Sequence, residues 1–229
     1  MNACLFLSFK NIGHVSASER SGLERLLCAV PRLCKALIYT PANAQHPYIE
    51  EGSPPGLVLQ LYFPNLLDLE AGLSRDGHLQ ALNARSEFPT LASADIAEQS
   101  MLVRSFDVPE PGSHKSGEIR CSYLVSYEGE ADDLMAWLSH YLESHTRCVA
   151  MLPGVRELEV YTRIDWVSGS PWRKVKYMLR NKVTFDNAVA FEAALGSPVR
   201  EIVRADVSAF PPYSGPTQHI AMSTHLVNL

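Results

Sequence analysis

The chain has no closely spaced cysteine pair, no cluster of lysine or arginine, no glycine-rich phosphate loop and no apolar run of membrane-spanning length. Each absence removes a class of function. Five cysteines, Cys4, Cys28, Cys34, Cys121 and Cys148, lie apart in apolar stretches. They read as reduced residues of a cytoplasmic protein, not as a disulfide frame. The sharper alternative is a nucleophile–base pair of Cys148 and His145, three apart on one helix. A net charge of −5 with no basic patch argues against a nucleic-acid partner. The missing apolar run argues against a membrane partner. The first ten residues lack a basic start and a cleavage site, so no secretory signal is expected. No GxSxG elbow or zinc spacing is present, and no metal or cofactor is expected.

What is there is pattern. From Leu134 to Leu152 the residues Leu134, Leu138, Tyr141, His145, Cys148 and Leu152 recur every three or four positions. They predict one apolar helix face with a single titratable member, His145. Pro153 and Gly154 end that helix. Beyond them Leu158, Val160, Ile164 and Trp166 alternate with Glu157, Glu159, Tyr161, Arg163 and Asp165, which predicts a strand.

The same order of elements occurs twice. Strands are expected at 4–9, 33–40, 57–63 and 99–108, with helices from Ser16 or Ser18 to about Val30 and from Asn65 to about Ala84, the latter broken near Asp76-Gly77. A long loop is expected over 41–56, of the kind that covers a site or reaches a neighbour. After the linker 109–117 come strands at 119–127, 155–166, 174–185 and 217–227, with helices over 132–152 and 187–207, the latter broken at Gly196-Ser197-Pro198. Shifting the chain by 122 residues from Pro31 to Pro89 gives 12 identities in 59 positions, among them Tyr39 with Tyr161, Phe63 with Phe185 and Asn65 with Asn187. Chance gives roughly 4, so the chain reads as an internal duplication.

Each unit reads strand, helix, strand, strand, helix, strand, the ferredoxin-like βαββαβ order of an α+β protein. Residues 1–115 are expected to form the first unit and 116–229 the second. Such a unit leaves one sheet face bare, and two units can cover each other as a barrel-like, pseudo-dimeric body. Lys174, Lys176, Arg180 and Lys182 on one strand then face Glu157, Glu159 and Asp165 on another, as ion pairs or as a solvated face.

The second unit resembles the EthD family, named for ethyl tert-butyl ether degradation, within the dimeric α/β-barrel superfamily. The resemblance rests on His145, Pro153-Gly154, Arg156, Tyr161, Phe185, the run FEAALGS from Phe191 to Ser197, Asp206 and Phe210. The first unit has Leu23, Arg32 and Ala84 where the second has His145, Gly154 and Asp206. The resemblance therefore implies a site in the second unit only.

His145 is the candidate general acid/base, or else a core histidine. Asp206 could orient it or bind a polar group, or else be a helix-surface carboxylate or pin the chain before Phe210. Tyr161 could offer a phenol to the same cavity, or pack. Tyr141 and His219 are expected to line the cavity. Trp166 and Trp172 bracket a Gly-Ser-Pro loop and could close over a flat ligand, or pack on the first unit. His219 and His225 lie too far apart on one strand to share a metal, and His140 and His145, five apart, are expected on different helix faces. The function expected is binding or cofactor-free transformation of an apolar small molecule. The alternative is a non-catalytic ligand-binding or assembly protein. Both are compatible with a monomeric pseudo-dimer or a homodimer.

Overall fold

The computed structural model describes residues 3–44, 54–115 and 117–229. The first half runs β1 (Ala3–Lys10), α1 (Ala17–Ala29), β2 (Lys35–Pro41), β3 (Leu57–Phe63), α2 (Leu66–Leu73) and β4 (Asp95–Phe106), with short 3₁₀ turns at His78–Asn83 and Leu91–Ser93. The second half runs β5 (Ile119–Tyr127), α3 (Leu134–His140), a π-helical turn (Tyr141–His145), α4 (Thr146–Ala150) and β6 (Val155–Arg163). It ends with a short β7 (Arg173–Lys174), β8 (Leu179–Phe185), α5 (Ala188–Leu195), α6 (Val199–Ser208) and β9 (Thr217–Leu226).

The duplication shows in the element bounds. β3 and β8, and likewise α2 and α5, begin and end 122 residues apart. Both of those helices are capped alike: the side chains of Asn65 and Asn187 accept the backbone N–H three residues on. Both first helices stop at a left-handed residue, Arg32 at φ 62° and Gly154 at φ 75°. Glycine holds that conformation without strain, whereas Arg32 has a Cβ to accommodate.

The strands close on themselves in the order β1-β3-β2-β9-β5-β8-β6-β4 and back to β1, every pair antiparallel. The two halves meet at two seams, β2 with β9 and β4 with β6. Two ferredoxin-like units thus form one closed barrel with helices outside. The bare sheet faces become its interior, where Cys4, Phe6, Leu37 and Tyr39 pack with Leu124, Tyr161 and Met222. Lys182 is wholly buried there, 2.7 Å from Glu159 and 2.9 Å from Glu157, so the alternating charges do pair across strands.

One expected element needs correction. The strand expected over 174–185 is two strands, because Val175 leaves to bond Glu98 while Met178 joins Tyr127. The break expected near Asp76-Gly77 is present, between α2 and the 3₁₀ turn at His78–Asn83. Gly77 permits the tight return, since a Cβ there would lie 2.3 Å from the Gly72 carbonyl oxygen. Most of the loop expected over 41–56 falls outside the described residues. Its described start does cross to the second half, where Ala42 N–H bonds Ala221 and Ala44 packs on the second core.

Because each half supplies one wall of the barrel, residues 1–115 and 116–229 expressed apart are expected to be insoluble or to associate, each exposing its inner sheet face. Size-exclusion chromatography of the separate and mixed fragments checks this. Two well-behaved monomeric halves would count against it.

Candidate functional site

The layer between barrel and helices differs between the halves. In the first it is filled: Leu23 and Leu27 of α1 pack with Leu69, Leu73, Leu79, Leu82, Phe88 and Leu91, each at most 1% exposed. In the second a cavity of about 620 Å³ opens between β5, β8 and β9 on one side and α4, α5 and α6 on the other. Its floor is Tyr123, Val125, Asn181, Val183, Phe185 and His219. Its roof is His145, Val149, Leu152, Phe191, Leu195 and Val203. Arg200, Glu201 and Arg204 of α6 lie at its rim.

His145 enters this cavity from the end of the π turn. The turn carries its wider hydrogen bond from Thr146 N–H to the Tyr141 carbonyl, five residues back. Such bulges recur at functional sites because they re-aim side chains. Here the bulge undoes one sequence expectation. His140 and His145 lie on different faces of a regular helix, but the five-residue turn sets both against Asp206. His145 Nδ1 lies 2.8 Å from Asp206 Oδ2, and the Ser144 hydroxyl donates to Oδ1 at 2.5 Å. His140 Nε2 lies 3.2 Å from Oδ1, without hydrogen-bond alignment.

Asp206 is held on α6, its side chain 8% exposed. Phe210 meets the His145 ring edge to face at 5.0 Å, and Tyr141 lies 4.8 Å from it. These aromatics seal one side of the imidazole. Burial pushes the Asp206 carboxyl up, but the bonds from Ser144 and His145 outweigh it and hold the group below the ordinary carboxylate value. Burial pushes His145 below the ordinary histidine value, and the Asp206 bond only partly restores it. At neutral pH the pair is a neutral imidazole beside a carboxylate. Nδ1–H is given to Asp206, so chemistry toward the cavity falls to Nε2.

The other sequence candidates divide. Tyr141 lies beside the cavity and accepts a short hydrogen bond from the Asn181 amide. His219 lines the cavity, its ring stacked on Tyr123 at 5.8 Å. Tyr161 does not share the site. It points into the barrel and donates to Glu159 at 2.6 Å, as its alternation with Glu157 and Glu159 requires. Trp166 and Trp172 are also elsewhere. Both pack on the first half's core, and Trp172 Nε1 donates to Asn83 at 2.9 Å. They anchor a loop that crosses between the halves, where Gly169 N–H bonds the Leu73 carbonyl. His225 faces Glu24 of α1 at 3.5 Å, away from His219. Burial keeps the Cys148 thiol above its ordinary value, which does not favour a thiolate nucleophile. Among the described residues no three His, Cys, Asp or Glu side chains are placed to hold a metal. No helix among them is long and apolar enough to cross a membrane.

Sequence reasoning missed Ser144, His140 and Asn181. Asn181 had a signal: it is the polar member of the helix-facing row Leu179, Asn181, Val183, Phe185. It is 4% exposed, and its carbonyl oxygen is buried without a partner.

No family model matches the chain, and no curated protein matches it in sequence. Solved structures do match. An anthrone oxidase-like protein aligns over 100% of this chain and 94% of its own at 12% identity, with a TM-score of 0.63. A provisional monooxygenase of Fusobacterium nucleatum aligns over 99% and 93% at 6% identity, TM-score 0.59. A chlorite dismutase of Candidatus Nitrospira defluvii aligns over 97% and 91% at 11% identity, TM-score 0.54. At such identities the likeness is one of fold: the chain has the dimeric α/β-barrel fold, with both halves of the barrel in one polypeptide.

Proposed function

We propose that the second half binds an apolar, flat small molecule and moves a proton on it without a cofactor. The observation that carries this is the Asp206–His145 pair at the wall of a cavity otherwise lined mainly by apolar and aromatic side chains. Nε2 takes a proton from an oxygen or carbon acid of the ligand. The resulting imidazolium is stabilised by the Asp206 carboxylate and returns the proton at a second position. No oxidant enters that sequence, and atoms balance. Asn181 supplies an amide oxygen toward the same space, and Arg200 and Arg204 at the rim suit a polar or acidic edge of the ligand. The fold shared with an anthrone oxidase-like protein motivates anthrones as the first probes.

A screen of such compounds by thermal shift, followed by turnover assays, tests the reading. His145→Gln is expected to lower turnover by about 10²–10⁴-fold while binding persists. Binding with no turnover in the wild type would favour the non-catalytic reading, for which the filled first half already shows that the fold needs no dyad. Turnover unchanged in His145→Gln would remove His145 from the chemistry.

A further inference from the structure

The barrel interior holds a second cation two residues before Lys182 on the same strand. Arg180 is 8% exposed and lies on the inner face of β8, opposite Asn181, which faces the His145 cavity. Lys182 has two glutamates. Arg180 has none: among the described residues no carboxylate pairs with it, and its Nε is buried without a hydrogen-bond partner. Its guanidinium carbon sits 4.3 Å from the Tyr177 ring centroid and 4.8 Å from that of Phe6. The rings satisfy only the faces of the cation. The N–H donors lie in its plane, and among the described residues Nε has no hydrogen-bond partner. Burial pushes Arg180 down to about 10, so it stays charged at neutral pH.

Beside it lies a hollow of about 30 Å³ at the barrel mouth. Ser8, Ser126 and Gln218 bring polar groups to its wall, Lys10 and Arg173 bring positive charge, and among the described residues no aspartate or glutamate lines it. Arg173 is partly engaged, 3.9 Å from the exposed Asp95. A buried cation with an unmatched donor and a hollow of this charge is incomplete as it stands. The volume suits one small group and excludes a benzene ring. A guanidinium fork matches a flat oxyanion best, through parallel in-plane hydrogen bonds.

We propose that this mouth is a binding site for a small flat oxyanion of the nitrate or formate class, seated on the edge of Arg180 with Ser126 and Gln218 beside it. The site lies on the opposite face of the sheet from the His145 cavity and does not depend on that reading.

The test is thermal unfolding of the full chain, titrated with sodium nitrate or sodium formate against sodium benzoate at matched ionic strength. Saturable stabilisation by nitrate and formate, but not by benzoate, is expected. Arg180→Met should raise the apparent Kd by about 10-fold or more, and Ser126→Ala by about 3–10-fold. Should Arg180→Met not fold, Ser126→Ala alone decides. His145→Gln should keep the wild-type response. The proposal is overturned by an absent or non-saturable response, by an equal response to benzoate, or by a Kd unchanged in the folded variants.

Discussion

Replacing Lys182 by methionine is expected to cost about 3–5 kcal/mol of folding stability at pH 7, because it leaves buried carboxylate charge without its cation. Lys182 Nζ lies 2.7 Å from Glu159, 2.9 Å from Glu157 and 3.1 Å from the Tyr62 hydroxyl. Tyr62 and Tyr161 both donate to the same Glu159 oxygen, at 2.5 and 2.6 Å. Lys35 bonds Glu157 from the barrel's edge at 2.8 Å. Two cations therefore balance two carboxylates, and among the described residues Lys182 is the only cation in direct contact with Glu159. Burial pushes both carboxyls up, but the lysines outweigh it, holding Glu157 at about 2 and Glu159 below its ordinary value.

The sign in pH follows. Depressed carboxylates give stability that is present above 4.5 and lost as pH falls from there toward about 2. In Lys182→Met the Glu159 value rises above 4.5 instead. The variant's deficit is then full at pH 7 and shrinks as pH falls through that raised value toward 4.5. Urea unfolding at pH 7 and near pH 5 measures both. A deficit under about 1 kcal/mol at pH 7 would show that the network carries little. Replacing Lys182, Glu157 and Glu159 together by apolar residues should recover much of the loss, because no unpaired buried charge then remains.

That network was legible in the sequence, and the reason is periodicity. Lysine at 182 and glutamates at 157 and 159 keep a period of two, and a strand sends alternate residues to one face. The same rule placed Tyr161 with the glutamates, so its absence from the His145 cavity was readable from its own strand. The duplication was legible because the offset of 122 preserves caps and strand ends: Asn65 and Asn187 do the same work in the same place. His140 was not legible. Helix-face reasoning assumes 3.6 residues per turn, and the π turn at Tyr141–His145 breaks that assumption where it matters. The contact between His145 and Asp206 spans 61 residues and two helices. Both residues carried the family resemblance, and Asp206 was a candidate to orient His145, but which of its alternatives holds depends on how α6 crosses the helix bearing His145, which no local pattern encodes. Trp166 and Trp172 misled for a related reason. Their loop belongs by sequence to the second half and by packing to the first.

Asp206→Asn is expected to lower turnover of whatever substrate the cavity accepts by about 10²–10⁴-fold, with binding retained. The carboxylate accepts from Ser144 at one oxygen and from His145 at the other. An asparagine has only one oxygen to offer. If that oxygen stays with Ser144, the amide N–H₂ faces Nδ1, which must then accept, and the imidazole proton moves to Nε2. The base facing the cavity becomes a donor. If the oxygen turns to His145 instead, the tautomer survives but the imidazolium formed in the reaction loses its counter-charge. Either arrangement weakens the base. The pH signature separates this from a mere packing defect. Burial already holds His145 below the ordinary value, and Asp206 is what opposes it. Removing the carboxylate lowers His145 further, so the acid limb of the rate profile moves to lower pH while its plateau falls. Nitrogen-15 NMR of the imidazole reads tautomer and titration without needing a substrate. An Asp206→Asn protein with the wild-type tautomer, an unshifted His145 titration and turnover within about threefold of wild type would show that Asp206 braces α6 and takes no part in tuning the base.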